Sequence, residues 1–546
     1  MESFELIAKT FQGLEEVLAQ ELTELGADNV QIGRRMVSFT GDTRMMYRAN
    51  FCLRTAVRIL KPILHFKAKD ADGVYEAIKQ VDWAQYLDLT TSFAVDTTVY
   101  STEFRNSRFV AYKVKDAIVD YFIEREGKRP NVSVTNPSLR LNIHIAENDC
   151  TLSLDSSGES LHLRGYREAT VEAPINEVLA AAIIKMSGWN FDCDLVDPFC
   201  GSGTILVEAA LMAKNIYPGV FRKKFGFENW KDFDQELFSE IYEDDSEERE
   251  FNHKIYGFDI NNPAIESALA NIRSAQVSDC VEVAQRDIRD FKVPAVEGEE
   301  APEKHCIMVT NPPYGERLKP EDLTVIYKTL GEKLKKEFTG GDAWIICSKE
   351  ELFDAMRLRP SFKVPLQNGS LDCELRKFVT FDGKLDSFRA EGGIVKTDQE
   401  RSRMGEKKRF RDGRERDFSR KFDAEFKERN DRRRQEERFG RDDRFEPRER
   451  PARDEDLFED DELAEQYRSL RSRHKSFEGA REAKMRKERE DHERPSRGGS
   501  KGGHKSNDRN YGGDRGGRNN DRGGRGRDRD FKGGKGRDFK GGRRDR

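Results

Sequence analysis

A strand that runs straight into two prolines leaves few folds open. The apolar run from His305 to Thr310 is followed by Asn311, Pro312, Pro313, Tyr314, Gly315, Glu316 and Arg317. Proline has no amide hydrogen for a ladder and clashes with a preceding helical turn, so the chain must leave the sheet as a rigid loop. An Asn carboxamide and an aromatic ring are thereby expected at the carboxyl end of a buried strand, where open α/β sheets bind ligands. The chemistry suits an exocyclic amine on a planar ring. Asn311 and the Pro312 carbonyl can accept from an –NH2 group, and Tyr314 can stack on the ring. A proline-rich turn with a capping Asn would use the same residues, and this stretch alone does not separate the two readings.

A second motif lies upstream. Asp194–Phe199 reads as a short buried strand that enters Cys200-Gly201-Ser202-Gly203-Thr204 and then a strong helix, Ile205 to Lys214. Strand, Gly-x-Gly loop and helix form the arrangement that lets backbone approach a nucleoside cofactor. The further glycine of the dinucleotide fingerprint and the lysine of a P-loop are both missing, which argues against NAD and ATP. The next strand, Ile255–Ile260, ends in Asp259, an acid placed to accept from ribose hydroxyls. It lies 62 residues beyond Asp197, against about 20 in the dinucleotide fingerprint. The excess is an insertion, residues 215–252, that holds Arg222, Phe225, Phe227, Trp230 and an acidic run from Glu243 to Glu250. Asp287 follows a strand at Val281–Ala284. Capping of local turns is the plain alternative for both Asp259 and Asp287.

The remaining periodicity completes an alternating series. Pro174 is expected to open a helix over Ile175–Met186 that stops at Gly188. Helices are expected over Pro263–Ala275, Leu323–Phe338 and near Glu350–Arg357, with a strand at Ala343–Cys347. Strands Ser361–Leu366 and Cys373–Phe381, joined at Asn368-Gly369, end the series as an antiparallel hairpin. The amino-terminal part reads as α+β. Strands are expected at Phe4–Ala8, Val37–Phe39, Phe93–Tyr100, Leu141–Ile145 and Cys150–Asp155. Helices are expected over Leu14–Leu25, Asp42–Leu53, Gly73–Gln80 and Arg108–Glu124. His144 and His162 sit in alternating strands and read as packing or surface residues rather than ligands.

Several short stretches together carry a resemblance: Asp-Pro-Phe-Cys-Gly-Ser-Gly-Thr (197–204), the Asp259 strand end, Asp287 and Asn-Pro-Pro-Tyr-Gly-Glu-Arg (311–317). So do Gly-Tyr-Arg-x-Ala (165–169), residues 174–183, Ser-Gly-Trp (187–189), residues 225–230 and Asn-Gly-x-Leu-x-Cys (368–373). In this order they resemble the THUMP-domain family of class I, S-adenosylmethionine-dependent RNA guanine-N2 methyltransferases. The likeness is in particular to the amino-terminal half of bacterial bifunctional 23S rRNA methyltransferases, and it covers roughly residues 1–385. It implies a Rossmann-like class I methyltransferase sheet with an antiparallel last strand, preceded by a ferredoxin-like and THUMP α+β module. The implied domains are a ferredoxin-like segment at 1–53, an RNA-binding THUMP domain at 54–165 and a methyltransferase domain at 166–385. Under the resemblance, Asp197, Pro198, Cys200, Gly201, Ser202, Gly203 and Thr204 line the methionine end of S-adenosylmethionine. Asp259 and Ile260 meet the ribose, and Asp287 and Ile288 the adenine. Asn311, Pro312, Pro313 and Tyr314 hold the target base, with Asn311 also bordering the cofactor. Cys200 is expected to pack rather than react.

Composition adds limits. The eight cysteines are scattered without a C-x-x-C pair, which argues against a zinc site or a disulfide framework and for a reducing, cytoplasmic setting. The start lacks the basic and apolar regions of a signal peptide, and no run reaches the roughly 18 apolar residues of a membrane span. No metal is expected. Residues 501–546 hold 16 Lys/Arg and 7 Asp/Glu, a net of +9, so residues 1–500 carry −14 of the total −5. Residues 386–546 read as a disordered, charged tail with Arg-Gly-Gly elements resembling RNA-binding segments. No further Gly loop or strand–helix series follows residue 385, so the second activity of the bifunctional enzymes is expected to be absent. The reading that emerges is N2 methylation of a guanosine in 23S rRNA. Its rivals are a tRNA guanine-N2 or nucleic-acid adenine-N6 methyltransferase, and a nonenzymatic ribosome-assembly RNA binder.

Overall fold

The computed structural model describes residues 2–104, 106–171, 174–293, 306–315, 319–381, 383, 385–390, 394–397 and 400–401. The tail beyond residue 401, and Glu316 and Arg317 of the proline loop, lie outside the described residues.

Period-two alternation yields strands and period-3.6 alternation yields helices through the amino-terminal half. The elements there are β1 (Phe4–Lys9), α1 (Glu15–Glu24), β2 (Asp28–Gly33), β3 (Met36–Gly41), α2 (Thr43–Cys52), β4 (Arg58–Lys67) and α3 (Ala71–Lys79). They continue as β5 (Ser92–Tyr100), α4 (Ser107–Glu126), β6 (Asn131–Val132), β7 (Leu139–Ala146) and β8 (Asp149–Asp155). The strands join in one eight-stranded sheet, in the order β2-β3-β1-β4-β8-β7-β5-β6. β4 is the hinge strand of that sheet, antiparallel to β1 on one side and to β8 on the other. Pro62 is tolerated within β4 because the ladder is irregular between Pro62 and Leu64, the setting in which a missing amide hydrogen costs least. Side chains of Asp42, Asp70 and Asn106 cap α2, α3 and α4 by accepting backbone amides, as short polar residues do at helix starts. β2 was not anticipated; its mostly exposed edge position gives it no apolar alternation to read. Burial, and then Lys9, pushes the His144 imidazole down to about 4.

The catalytic half contains α5 (Glu177–Ser187), β9 (Leu195–Asp197), α6 (Thr204–Ala213), α7 (Gln235–Tyr242), β10 (Ile255–Asp259), α8 (Asn262–Ser274), β11 (Val281–Gln285) and β12 (Ile307–Thr310). It closes with α9 (Pro320–Lys336), β13 (Asp342–Cys347), α10 (Glu350–Ala355), β14 (Phe362–Asn368), β15 (Leu371–Val379) and α11 (Leu385–Ala390). The seven-stranded sheet runs β11-β10-β9-β12-β13-β15-β14. Its first five strands are parallel, and β15 is antiparallel to both β13 and β14. This is the Rossmann-like class I methyltransferase sheet with its antiparallel last strand. The order reverses between β9 and β12, so the crevice outside their carboxyl ends is the topological switch point. Pro365 lies on the edge strand β14, where its missing amide hydrogen breaks no ladder. Every residue of α6 is buried; apart from Thr204 and Glu208 the helix is apolar, as befits one enclosed on all sides.

Three sequence expectations shift, the first being that His162 lies in a turn rather than in an alternating strand. The helix expected from Pro174 begins at Glu177, because Asn176 is the cap and accepts the Val178 amide at 2.9 Å. Ordered packing also passes residue 385. Phe388 stacks on Phe381, and Glu400 sits 3.0 Å from the buried Lys377 ammonium.

The insertion at 215–252 proves to be part of the amino-terminal core. Phe225, Phe227 and Trp230 are buried among residues of α2, β4, β5 and α4. Tyr47 of α2 stacks on Phe227 at 4.3 Å, and its hydroxyl accepts the Asp234 amide. Gly226 lies so close to Asp155 and Gly158 that a Cβ would meet backbone atoms at 2.8 Å and 2.7 Å, so only glycine fits. A catalytic-domain insertion therefore clasps the other half, and a buried charge network seals the joint. Glu208 of α6 accepts from Tyr166 at 3.0 Å and Arg164 at 3.5 Å, while Arg54 donates to the carbonyl of Ile216 at 2.7 Å. Replacing Phe227 with Ala is expected to cost about 3–5 kcal/mol by loss of a fully buried ring. Urea denaturation measures it; a loss under about 1 kcal/mol would contradict the clasp.

Candidate active site

The carboxyl ends of β9, β10, β11 and β12 converge on the switch-point crevice. From β9 the chain turns through Pro198–Gly203 into α6. Gly201 and Gly203 have φ of +53° and +78°, the left-handed region that admits glycine without strain. A Cβ on Gly203 would also stand 3.1 Å from Ala268 of α8. The turn thus bares its backbone, as a cofactor-cradling loop must.

Asp197 is buried, as is Pro198 beside it. Its Oδ1 accepts from the Thr310 hydroxyl at 2.5 Å and from the Phe199 amide at 3.0 Å. Thr310 is the last residue of β12, next to Asn311. One carboxylate therefore ties the Gly loop to the proline loop. Burial pushes the Asp197 carboxyl up to about 7, partly offset by the Thr310 and Phe199 hydrogen bonds. Cys200 is buried, and burial, with Asp197 and Asp259 near, raises its thiol well above the usual range. It stays protonated, in keeping with a packing role.

Asp259, half-buried at the end of β10, accepts the Gly201 amide at 3.2 Å with Oδ2 and the Asn261 amide at 2.8 Å with Oδ1. Each oxygen retains lone-pair capacity for a ribose hydroxyl. Ile260 beside it is 56% exposed. Asp287 caps the turn at Ile288–Asp290 by accepting the Arg289 amide at 2.8 Å and pairs with the Arg289 guanidinium at 2.5 Å. That bond holds its carboxyl below the usual range. Ile288 is buried beneath it.

In the proline loop Pro312 is buried and Pro313 exposed. Asn311 Oδ1 is buried and accepts no hydrogen bond among the described residues. An orphaned buried acceptor costs roughly 1–3 kcal/mol, and such an atom at a switch point is placed to receive an N–H from a ligand. Tyr314 is less free than its sequence context implied. Only 7% of it is exposed, and its hydroxyl accepts from Asn368 at 2.7 Å and contacts the Cys373 thiol at 3.9 Å. Burial first, then Cys373, raises that hydroxyl's pKa.

An RMKL-like methyltransferase domain matches residues 164–377, a THUMP domain residues 68–155 and an RlmL ferredoxin-like domain residues 5–60. The chain is 37% identical over 377 residues to slr0064 of Synechocystis sp., named as a candidate RNA methyltransferase, covering 68% of this chain and 96% of that protein. The chain belongs to the RMKL-like family of THUMP-domain RNA methyltransferases. This THUMP methyltransferase is also 37% identical over 396 residues to the ribosomal RNA large subunit methyltransferase K/L of Photobacterium profundum. That match covers 71% of this chain and 55% of the other, so the chain spans about half the length of that relative. Among solved structures it resembles SMU.472, a candidate methyltransferase complexed with SAH, at 30% identity and a TM-score of 0.62. That likeness covers 70% of this chain and 100% of the other. A Listeria monocytogenes protein named from prediction as an N6-adenine-specific DNA methylase is similar at 30% identity and TM-score 0.61, covering 70% and 97%.

The residues present fit S-adenosylmethionine. A bare glycine turn, a strand-end acid with spare lone pairs, and the apolar Ile260 suit an amino acid, a ribose and a purine in that order. Sequence reasoning missed Thr310, Arg167 and Asn271. A hydroxyl ending an otherwise apolar strand was the only available signal for Thr310. No described helix is long and apolar enough to cross a membrane.

The buried Asp197 carboxyl generates a pH signature. Below its unfolded value both states hold the proton. As pH rises from about 4 to about 7 the unfolded chain releases it and the folded chain keeps it, so this group's contribution to stability falls and then levels off. Asp197→Asn keeps the acceptor for Thr310 without the titration. Its melting temperature is expected to gain on the parent's across that window and run parallel above about pH 8. A constant difference throughout would contradict the buried carboxyl's raised pKa.

Proposed function

We propose that this THUMP methyltransferase transfers a methyl group from S-adenosylmethionine to the exocyclic N2 amine of a guanosine in 23S rRNA. The buried, unpartnered Oδ1 of Asn311 carries the reading. A buried acceptor without a partner among the described residues, at the end of β12 beside the glycine loop, matches an aromatic amine that must be held by its hydrogens. The printed name of the K/L relative supports rRNA of the large subunit, and the resemblance of the motifs supports guanine.

S-adenosylmethionine supplies, when bound, an electrophilic methyl group on a sulfonium. The chain's own residues do the rest by placement. Asn311 Oδ1 and the Pro312 carbonyl would accept the two amine hydrogens, which fixes the nitrogen and turns its lone pair toward the crevice. Tyr314, locked through its hydroxyl by Asn368, would offer the base a ring that does not swing. Asp259 would accept from the ribose hydroxyls, and Asp287 would face the adenine with whatever capacity Arg289 leaves. Residues 197–204 would line the methionine end. The nitrogen gains a methyl and loses one proton, so alignment supplies much of the rate. A target inside a duplex would have to be extruded to reach these groups.

A second reading, adenine-N6 methylation, is favoured by one observation: the Asn311 acceptor and adjacent carbonyl suit that amine equally, and the Listeria relative bears such a name. Nucleoside mass spectrometry of 23S, 16S and tRNA fractions from cells with and without the gene separates them. Loss of N2-methylguanosine from 23S rRNA is the expected result. Loss from tRNA would move the substrate, loss of N6-methyladenosine would change the base, and no change would refute the proposal. Replacing Asn311 with Ala is expected to lower single-turnover methylation about a hundredfold or more, with SAH and RNA affinities within about twofold. Retained activity would remove Asn311 from the amine-holding role.

A further inference from the structure

The Gly-Tyr-Arg-x-Ala stretch matched the family yet received no role. In the structure it leads from the eight-stranded sheet's half into the catalytic half, and it runs along the outside of the Cys200–Thr204 loop. Arg167 places its guanidinium across that loop. Nη1 donates to Ser202 Oγ at 3.1 Å, Nη2 to Thr204 Oγ1 at 2.8 Å, and Nε to Glu177 Oε1 at 2.7 Å. Glu177 opens α5, so one planar fork joins the loop to a second helix. Asn271 of α8, 1% exposed, fastens the same stretch from the other side. Its Oδ1 accepts the amides of Glu168 at 2.9 Å and Ala169 at 3.0 Å. Its Nδ2 donates to the carbonyls of Ala169 at 2.8 Å and Ser202 at 2.9 Å. Every hydrogen-bonding position of the carboxamide is filled. Val171 lies 3.6 Å from where a Cβ on Gly201 would stand, so the segment also closes over the turn's first glycine.

We propose that Arg167 and Asn271 are positioning residues for the cofactor loop, and that residues 167–171 form its outer wall. Neither side chain is needed to hold the loop's φ values, which the glycines supply. What they fix is where the Ser202 carbonyl and the two hydroxyls point, and hence how the loop's backbone lies at the end of β9. Arginine suits the task because its fork reaches hydroxyls on alternate residues at once; a lysine ammonium is a single point on a flexible stem. The inference rests on the assignment of residues 200–204 to the cofactor.

Calorimetric titration of the full chain with SAH tests it, beside RNA binding to transcribed 23S rRNA and thermal melting. The parent is expected to bind SAH. Arg167→Ala is expected to weaken SAH binding about tenfold, with RNA affinity within about twofold, and to lower the melting temperature because the buried Glu177 carboxylate loses its partner. Arg167→Lys, which keeps the charge and can reach one hydroxyl, is expected to fall between. Should Arg167→Ala fail to fold, the Lys variant carries the test alone: a loss of SAH affinity at unchanged RNA affinity supports positioning. SAH affinities within about twofold of the parent in both variants would overturn the proposal while leaving the cofactor assignment intact. Equal losses of SAH binding and RNA binding would also overturn it, as a merely structural role. A parent that binds no SAH would overturn the cofactor assignment and this inference together.

Discussion

The hydrogen bond from Thr310 to the buried Asp197 carboxylate holds the catalytic half in register. β9 and β12 are the two strands at which the sheet order reverses. Each ends in a loop that its own sequence cannot orient: a glycine turn on one side, a pair of prolines on the other. A carboxylate at the end of β9 that takes a hydroxyl from the end of β12 makes the two loops one surface. The same carboxylate also accepts the Phe199 amide, so a single buried acid sets the start of the glycine turn and its distance from Asn311. The cost is a desolvated carboxyl whose proton is hard to remove, a cost that proteins accept mainly where geometry matters more than stability.

Around that bond the site is built by layers of fixed backbone rather than by reactive groups. Asp259 binds the Gly201 amide, the Arg167 and Asn271 pair binds the outside of the same turn, and Asn368 pins Tyr314. The hairpin that carries Asn368 is itself braced from the amino-terminal half. Arg35 donates to Gln367 at 3.2 Å, and Gly13 packs so tightly on Pro365 that a Cβ would meet its carbonyl at 2.8 Å. Methyl transfer between a sulfonium and an uncharged amine asks for alignment, and this architecture supplies alignment through hydrogen bonds that are nearly all satisfied. Several buried atoms lack a partner among the described residues, and under the proposed function a substrate would complete one of them, Asn311 Oδ1.

The two halves are also less separable than a linear domain boundary suggests. The aromatic insertion between α6 and β10 packs into the amino-terminal core, while Arg54 donates to the carbonyls of Leu211 in α6 and Ile216 beyond it. Burial of Glu208 between Arg164 and Tyr166 leaves one of its oxygens unpartnered among the described residues. Removing either arginine would strand a buried carboxylate, a larger loss than a surface ion pair entails. The RNA-binding module and the catalytic sheet are thereby held in one relation along the whole joint.

Local chemistry sufficed for much of this. The apolar periods set the helices and strands, the Gly201–Gly203 turn and the Asn311–Tyr314 loop announced themselves by backbone geometry that other residues resist, and Asp259 stood at a legible strand end. Pro174 misled because a proline favours a first helical turn without requiring one, and Asn176 offered a better cap two residues on. β2 escaped because an exposed edge strand has no buried face to pattern. What tertiary structure alone decided was partnership. That Asp197 would meet Thr310 across 113 residues, that Asn271 would staple Ala169 to Ser202, and that Phe227 would lie against Tyr47 depend on strand order and helix packing. Propensity and period act over a turn or a strand, so the sequence by itself determined which loops could exist; only the packed sheet decided which of them face one another.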